Sequence, residues 1–263
     1  MERRRTPRRE RLRLTTADQS IAEKLAMGLL DAVVMPLWSF GRDRLVSVLE
    51  RRHGIHTAGI IPAEELGIAD AEQHGYSPAP WSVLRRAIPP EWVRTDDVFI
   101  DFGSGMGRIV FQAAAHYPFR RVIGVELSRD LHQIAQANVE RNRPRFLCQN
   151  VELVNGNVLD YDIPDDVTMA FFFNPFTGQT FDTVIDRLLA SVDTNPRWLR
   201  IVYLCPVEHE RLLATGRVRL VHRVRRPRPG REWSRRASIH LYDVLPARTG
   251  ETARVDALSS RGH

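Results

Sequence analysis

From residue 97 onward, short apolar runs alternate with helical patterns, and this alternation constrains the fold more than any other feature of the chain. VFIDFG (98–103), RVIGVELS (121–128), VELVNGNVLDY (151–161), VTMAFFF (167–173) and LRIVYLCP (199–206) are strand-like. GRIVFQAAAHY (107–117), LHQIAQANVERNR (131–143) and TFDTVIDRLLASV (180–192) carry helical spacing between them. Strands that are apolar almost throughout, separated by helices, predict a parallel sheet covered on both faces. VRLVHRV (218–224) and ASIHLYDVL (237–245) follow with only a turn-rich loop between them, which predicts a closing antiparallel hairpin. The expected fold is therefore α/β, a doubly wound, mostly parallel sheet of seven strands with a C-terminal hairpin.

The segment ahead of the first strand is different. Ile21, Leu25, Leu29 and Leu30 recur at helical spacing behind Thr16, Ala17 and Asp18, and Pro36 is expected to end or bend that helix. A second helix is expected from about Gly41 to Arg52, with Leu45, Val48 and Leu49 on one face and Gly54 as its stop. Residues 55–80 read as loop, because of Pro62, Gly67, Gly75, Pro78 and Pro80, and a helix is expected near 80–88. The chain thus divides into a disordered basic arm (1–14), a helical N-terminal cap (15–75), the sheet domain (76–247) and a disordered tail (248–263). Its 263 residues suit one large domain with an appended segment, and 43% hydrophobic residues suffice for a core.

Composition excludes several classes. Cys148 and Cys205 are the two cysteines and lie far apart, which rules out a disulfide framework or a CxxC metal pair and makes a reducing cytoplasm the default. The basic start MERRRTPRRERLRL lacks a following apolar segment, and Asp31 and Pro36 break residues 25–40, so no targeting or membrane-spanning segment is expected. His53 and His56 have no cysteine or carboxylate at ligand spacing, so no metal is expected. The formal net charge of +6 leaves a nucleic-acid partner open. Lys24 is the sole lysine, however, and such arginine-dominated usage does not favour nucleic acid by itself.

DFGSGMGR (101–108) lies between the first strand and its helix. In a doubly wound sheet, ligands bind outside the carboxyl ends of the strands, at the switch point. Gly103 and Gly105 allow a tight turn and close backbone approach, and the helix N-terminus behind them favours an anionic group. Glu126 ends the second strand 23 positions after Gly103, close to the offset of roughly 20 at which an acid meets ribose hydroxyls. Together these point to a nucleoside-containing cofactor. The glycines follow G-x-G-x-G, with Arg108 where a dinucleotide fingerprint has its last glycine, which weakens a pyrophosphate reading. Asp101 ahead of the turn suits a ligand with an ammonium and a sulfonium instead.

VFIDFGSGMGR, VIGVELS, NGNVLDY and FFFNPF in this order resemble the motifs of class I, seven-strand, Rossmann-like S-adenosylmethionine-dependent methyltransferases, over about residues 76–245. Within that class, DFGSGMGRIVFQAAA with GVELS is most similar to the non-SET seven-strand protein-lysine methyltransferases. HGIHTAGIIPAEELGI (53–68) and HGYSPAP (74–80) are similar to the lead-in of uncharacterised bacterial relatives. The resemblance implies S-adenosyl-L-methionine as cofactor. It implies that Asp101, Gly103, Ser104, Gly105 and Gly107 form the turn at the methionine moiety. Glu126 and Leu127 would lie at the ribose, Asn157 (where the family often has Asp) and Val158 at the adenine edge, and Tyr76 over the methionine end.

FFFNPF ends the fourth strand at Asn174-Pro175-Phe176. Methyl transfer to nitrogen needs a neutral amine aimed at the methyl group, and an amide or carbonyl oxygen orients its hydrogens without acting as a base. Asn174 Oδ1 and the Pro175 carbonyl are the candidates, with Phe176 as a channel wall; Pro175 is expected to bias Asn174 to an extended conformation. The second proline of the Asn-Pro-Pro-aromatic pattern is missing, which argues against that subclass. The basic loop VRRPRPGREWSRR (224–236) is read as a solvated surface, with phosphate gripping and stacking by Trp233 as its alternative. The expected activity is S-adenosylmethionine-dependent N-methylation, of a protein lysine in the first instance. The alternatives are a nucleic-acid or small-metabolite acceptor, and a non-catalytic cofactor-binding module.

Overall fold

The computed structural model describes residues 35–224 and 238–246. The expected arm, the expected helix before residue 35, the 225–236 part of the basic loop with Trp233, and the tail lie outside the described residues.

The chain enters through helix α1 (Met35–His53), which Gly54 ends with φ 60°. A largely irregular segment follows, then helix α2 (Val83–Ala87). Pro36 sits in the first turn of α1, where its missing N–H breaks no helical hydrogen bond, so the helix starts before Pro36 rather than near Gly41. Leu45 and Val48 remain largely exposed on α1.

The sheet is built from β1 (Val98–Phe102), β2 (Arg121–Glu126), β3 (Val151–Asn155), β4 (Met169–Phe172), β5 (Arg200–Leu204), β6 (Val218–Val224) and β7 (Ile239–Val244). Helices α3 (Arg108–His116), α4 (Arg129–Asn142) and α5 (Gly178–Thr194) connect the parallel strands. A short helix α6 (His209–Ala214), absent from the sequence reading, precedes β6. The strand order is β3-β2-β1-β4-β5-β7-β6. The first five strands are parallel, and β7 pairs antiparallel with both β5 and β6. The expected seven-stranded sheet with its antiparallel end is what forms, with the last strand inserted beside β5.

Burial follows from the strand pattern. β1 and β4 are buried at every position, and each sends alternate side chains to opposite layers. Phe99, Met169 and Phe171 join Val110, Ala113 and Ala114 of α3 in one layer. Ile100, Phe102 and Phe172 join Phe181, Val184 and Leu188 of α5 in the other. The strand order leaves β1 and β4 side by side at the middle of the sheet, at its switch point, so their carboxyl ends face one opening. Among the described residues no helix is long and apolar enough to cross a membrane, and no cluster of His, Cys, Asp or Glu has metal-binding geometry.

Candidate active site

At the end of β1 the chain must reverse into α3 within a few residues. The Gly103 and Ser104 amides both donate to the Val125 carbonyl, at 2.9 and 3.0 Å, which ties the turn to β2. Gly103 and Gly105 take φ of 71° and 55°. Neither position has room for a side chain. A Cβ on Gly103 would overlap Pro175 Cβ, and one on Gly105 would overlap the Tyr76 ring. The turn is therefore walled by Tyr76 on one side and by the Asn-Pro segment on another, two parts of the chain a hundred residues apart.

These walls enclose a cavity of about 280 Å³. Every site residue expected from the sequence lines it except Gly107. Gly107 instead precedes α3 and abuts Ala135 of α4, where a Cβ would stand 3.0 Å away. Its contribution is helix packing. Phe173, His74 and Arg108 line the cavity as well.

Two buried carboxyl groups dominate the electrostatics. Asp101 is 3% exposed, in the middle of the sheet, and its carboxyl makes no hydrogen bond with another described residue. Burial, and secondly the neighbouring Glu126, push its pKa well above the usual carboxylate range. Glu126 accepts from the Gly105 amide at 2.7 Å through Oε2 and from the Ser128 amide at 2.8 Å through Oε1. Burial raises its pKa too, opposed by the hydrogen bonds from Ser128, Gly105 and Leu127. Asn155 holds this corner, its Nδ2 donating to the Glu126 and Leu127 carbonyls at 2.9 and 3.0 Å. Asn157 Oδ1 accepts from the Leu159 amide at 3.0 Å, so part of its acceptor capacity already shapes the turn after β3. Among the described residues, the one guanidinium on the cavity wall is that of Arg108, which is committed to Glu50 at 3.0 Å. A desolvated acid without a partner favours a cationic ligand group here.

Beyond β4, Asn174 departs from expectation. Its φ is 46°, in the left-handed region, and not the extended conformation that a following proline favours. Asparagine tolerates this region better than other non-glycine residues. Neighbouring contacts hold the turn: the Pro175 carbonyl accepts from the His74 amide at 3.3 Å, and Gln73 bridges to Phe176. The Pro175 carbonyl thus serves to anchor the 72–76 segment. Glu72 strengthens the same join from its side chain, accepting from the Gln179 and Thr180 amides at 2.8 Å each, at the N-terminus of α5. Asn174 Oδ1 is buried without a hydrogen-bond partner. An orphaned buried acceptor and a left-handed backbone at one residue are both costly, and such features concentrate at functional positions. Phe176 is buried and meets Phe172 edge-on, with ring centroids 6.1 Å apart.

The sequence reading missed Asn155, Glu72 and the partners of Arg108. Asn155 and Glu72 act through backbone groups distant in sequence, for which no local pattern exists. Arg108 did carry a signal, being a charged residue at the first position of a helix whose other first-turn residues are all apolar.

Comparison with known proteins follows the same lines. Residues 83–159 match the family described as histone methylation protein DOT1. That stretch contains Asp101, the glycine turn, Glu126, Asn157 and Val158, and stops short of Asn174. A protein-lysine N-methyltransferase of Saccharolobus islandicus is 32% identical over 97 residues, covering 37% of this chain and 58% of that protein. The H3 lysine-79-specific histone-lysine N-methyltransferase of Dictyostelium discoideum is 30% identical over 145 residues, covering 51% of this chain and 8% of that protein. This chain therefore spans less than two thirds of either relative. The crystal structure of an RNA methyltransferase from Salinibacter ruber in complex with S-adenosyl-L-homocysteine superimposes with a TM-score of 0.45 at 21% identity, covering 66% of this chain and 97% of that one. The resemblance to seven-strand S-adenosylmethionine-dependent methyltransferases carried by the sequence motifs is borne out by the family match and by the two named relatives.

Proposed function

We propose that this chain is an S-adenosylmethionine-dependent methyltransferase that methylates nitrogen, with a protein lysine as acceptor. The carrying observation is that one cavity over a glycine turn is lined by the desolvated Asp101 carboxyl and by two buried polar atoms without a partner, Ser104 Oγ and Asn174 Oδ1. When bound, S-adenosylmethionine supplies a methyl group already activated on a sulfonium, so the protein's task is placement.

The residues fit that group. Asp101 offers a desolvated carboxyl to the ammonium of the methionine moiety, and the turn Gly103–Gly105 lets a ligand approach the backbone. Glu126 keeps a lone pair for ribose hydroxyls after meeting the Gly105, Ser128 and Leu127 amides. Asn157 and Val158 form the adenine edge. On the acceptor side, Asn174 Oδ1 takes a hydrogen of the incoming amine and so fixes the direction of its lone pair. Phe173 and Phe176 give an apolar surface for the alkyl stem of a lysine. The lysine assignment is supported by the names of the two relatives. The lack of disulfides supports placing the protein in a reducing cytoplasm.

Calorimetric titration with S-adenosylhomocysteine tests this reading. Wild type binds one equivalent, Glu126→Ala weakens binding at least about tenfold through lost charge-assisted hydrogen bonds, and Asn174→Ala binds normally but transfers methyl poorly. No binding by wild type ends the reading. Full transfer by Asn174→Ala removes the orienting role.

A further inference from the structure

Arg108 sits at the first position of α3 and is 4% exposed. A buried cation there is doubly unfavourable, since it is desolvated and lies at the positive end of the helix dipole. Burial accordingly lowers its pKa, while Tyr76 and Glu50 oppose the shift. The chain tolerates this because each nitrogen of the guanidinium is engaged. Nη2 meets Glu50 Oε1 at 3.0 Å, Nε donates to Thr57 Oγ1 at 2.7 Å, and Nη1 donates to the Ala79 carbonyl at 3.0 Å. The guanidinium carbon lies 5.3 Å from the Trp81 ring centre.

The knot continues toward the cavity. Glu50 Oε1 also accepts from the Thr57 amide at 2.9 Å and the Thr57 hydroxyl at 2.7 Å. The Thr57 carbonyl in turn accepts from the Tyr76 hydroxyl at 2.6 Å. The ring of Tyr76 lies so close to Gly105 that a Cβ there would overlap it. An unbroken chain of contacts thus runs from Glu50 on α1, through Arg108 and Thr57, to the tyrosine that covers the glycine turn. We infer that the buried Glu50–Arg108 pair is a positioning device that presses Tyr76 onto the glycine turn through Thr57, and that it sets the affinity for the cofactor. This rests on the reading that the cavity takes S-adenosylmethionine. Glu50, Arg108 and Thr57 act through Tyr76.

A double-mutant cycle on the full chain tests the inference, with S-adenosylhomocysteine as the probe and calorimetric Kd as the readout. Thr57→Val removes the hydroxyl at the centre of the knot with little change of volume, and Tyr76→Phe removes only the hydroxyl at its end. Each single variant is expected to weaken binding about tenfold, the scale of one lost buried hydrogen bond. The double variant is expected to weaken it little further, because either change already frees the ring. Arg108→Lys, which cannot reach three acceptors in one plane, is expected to behave like the singles. Independent structural damage gives additive losses instead. Additive losses, or single variants within about twofold of wild type, overturn the inference. If wild type fails to bind, or Glu126→Ala binds as wild type does, the cofactor reading itself has failed. If Thr57→Val does not fold, Tyr76→Phe alone decides by showing or lacking its loss.

Discussion

Gly103→Ala isolates the contact on which the site depends, that between the glycine turn and the Asn-Pro segment. Two costs are expected. The first is conformational: at φ 71° an L-residue stands in the left-handed region, at about 1–2 kcal/mol. The second is steric. The new methyl would overlap Pro175 Cβ, well inside the contact distance of ~3.5–4.0 Å. Pro175 is held by its carbonyl on His74 and cannot easily retreat, so an overpacking cost of about 1–3 kcal/mol applies. The sum is about 2–5 kcal/mol. Gly67→Ala is the matched control, since Gly67 has φ 69° and no atom within 4 Å of its would-be Cβ. It reports the conformational cost alone, and the reduced entropy of the unfolded chain is common to both variants. Urea denaturation of the three proteins gives the difference directly. Equal destabilisation by the two substitutions would refute the packing of the turn against Pro175.

Three further outcomes follow from the geometry. Asp101 has a raised pKa when folded, so it binds a proton more tightly in the native than in the unfolded chain; the stability it contributes is present at low pH and is lost as pH rises from the ordinary carboxylate range through the raised value. Asp101→Asn should flatten that fall in urea titrations across pH, and a cationic ligand should release a proton from wild type, seen as buffer-dependent binding heats. Asn174→Gly relieves the left-handed strain and deletes the orphaned oxygen, so it should raise stability by about 1 kcal/mol while impairing methyl transfer. Glu72→Gln should accelerate amide exchange at Gln179 and Thr180; those two amides lower the Glu72 pKa, so the contribution of Glu72 is present above the ordinary carboxylate range and disappears as pH falls through the lowered value.

The alternation of apolar runs and helices was enough to predict the sheet, because its central strands β1 and β4 are buried on both faces and so read as continuous apolar runs. It was also enough to bring Asp101, the glycine turn, Glu126 and Asn174 to one edge, since all lie at or just past the carboxyl ends of parallel strands. What escaped prediction depends on contacts distant in sequence. α6 spans only six residues, too few to show periodicity. Pro36 was read as a break because a first-turn proline and an interior proline look alike without the helix start. The left-handed Asn174 was hidden for a similar reason: the local Asn-Pro rule predicts extension, and the contacts of Gln73 and His74 with the strand end override it. The Glu50–Arg108–Thr57 knot joins residues up to 58 positions apart and leaves only one trace in the sequence, a charged residue opening an otherwise apolar helix.

We propose that this cavity transfers a methyl group to a lysine nitrogen. Labelled methyl transfer from S-adenosylmethionine into a lysate, followed by separation into protein, nucleic acid and small molecules, measures it directly. Label is expected in the protein fraction, recovered as methyl-lysine and lost with Asn174→Ala. Label confined to nucleic acid or small molecules contradicts the acceptor, and no transfer by a wild type that binds S-adenosylhomocysteine contradicts the enzyme.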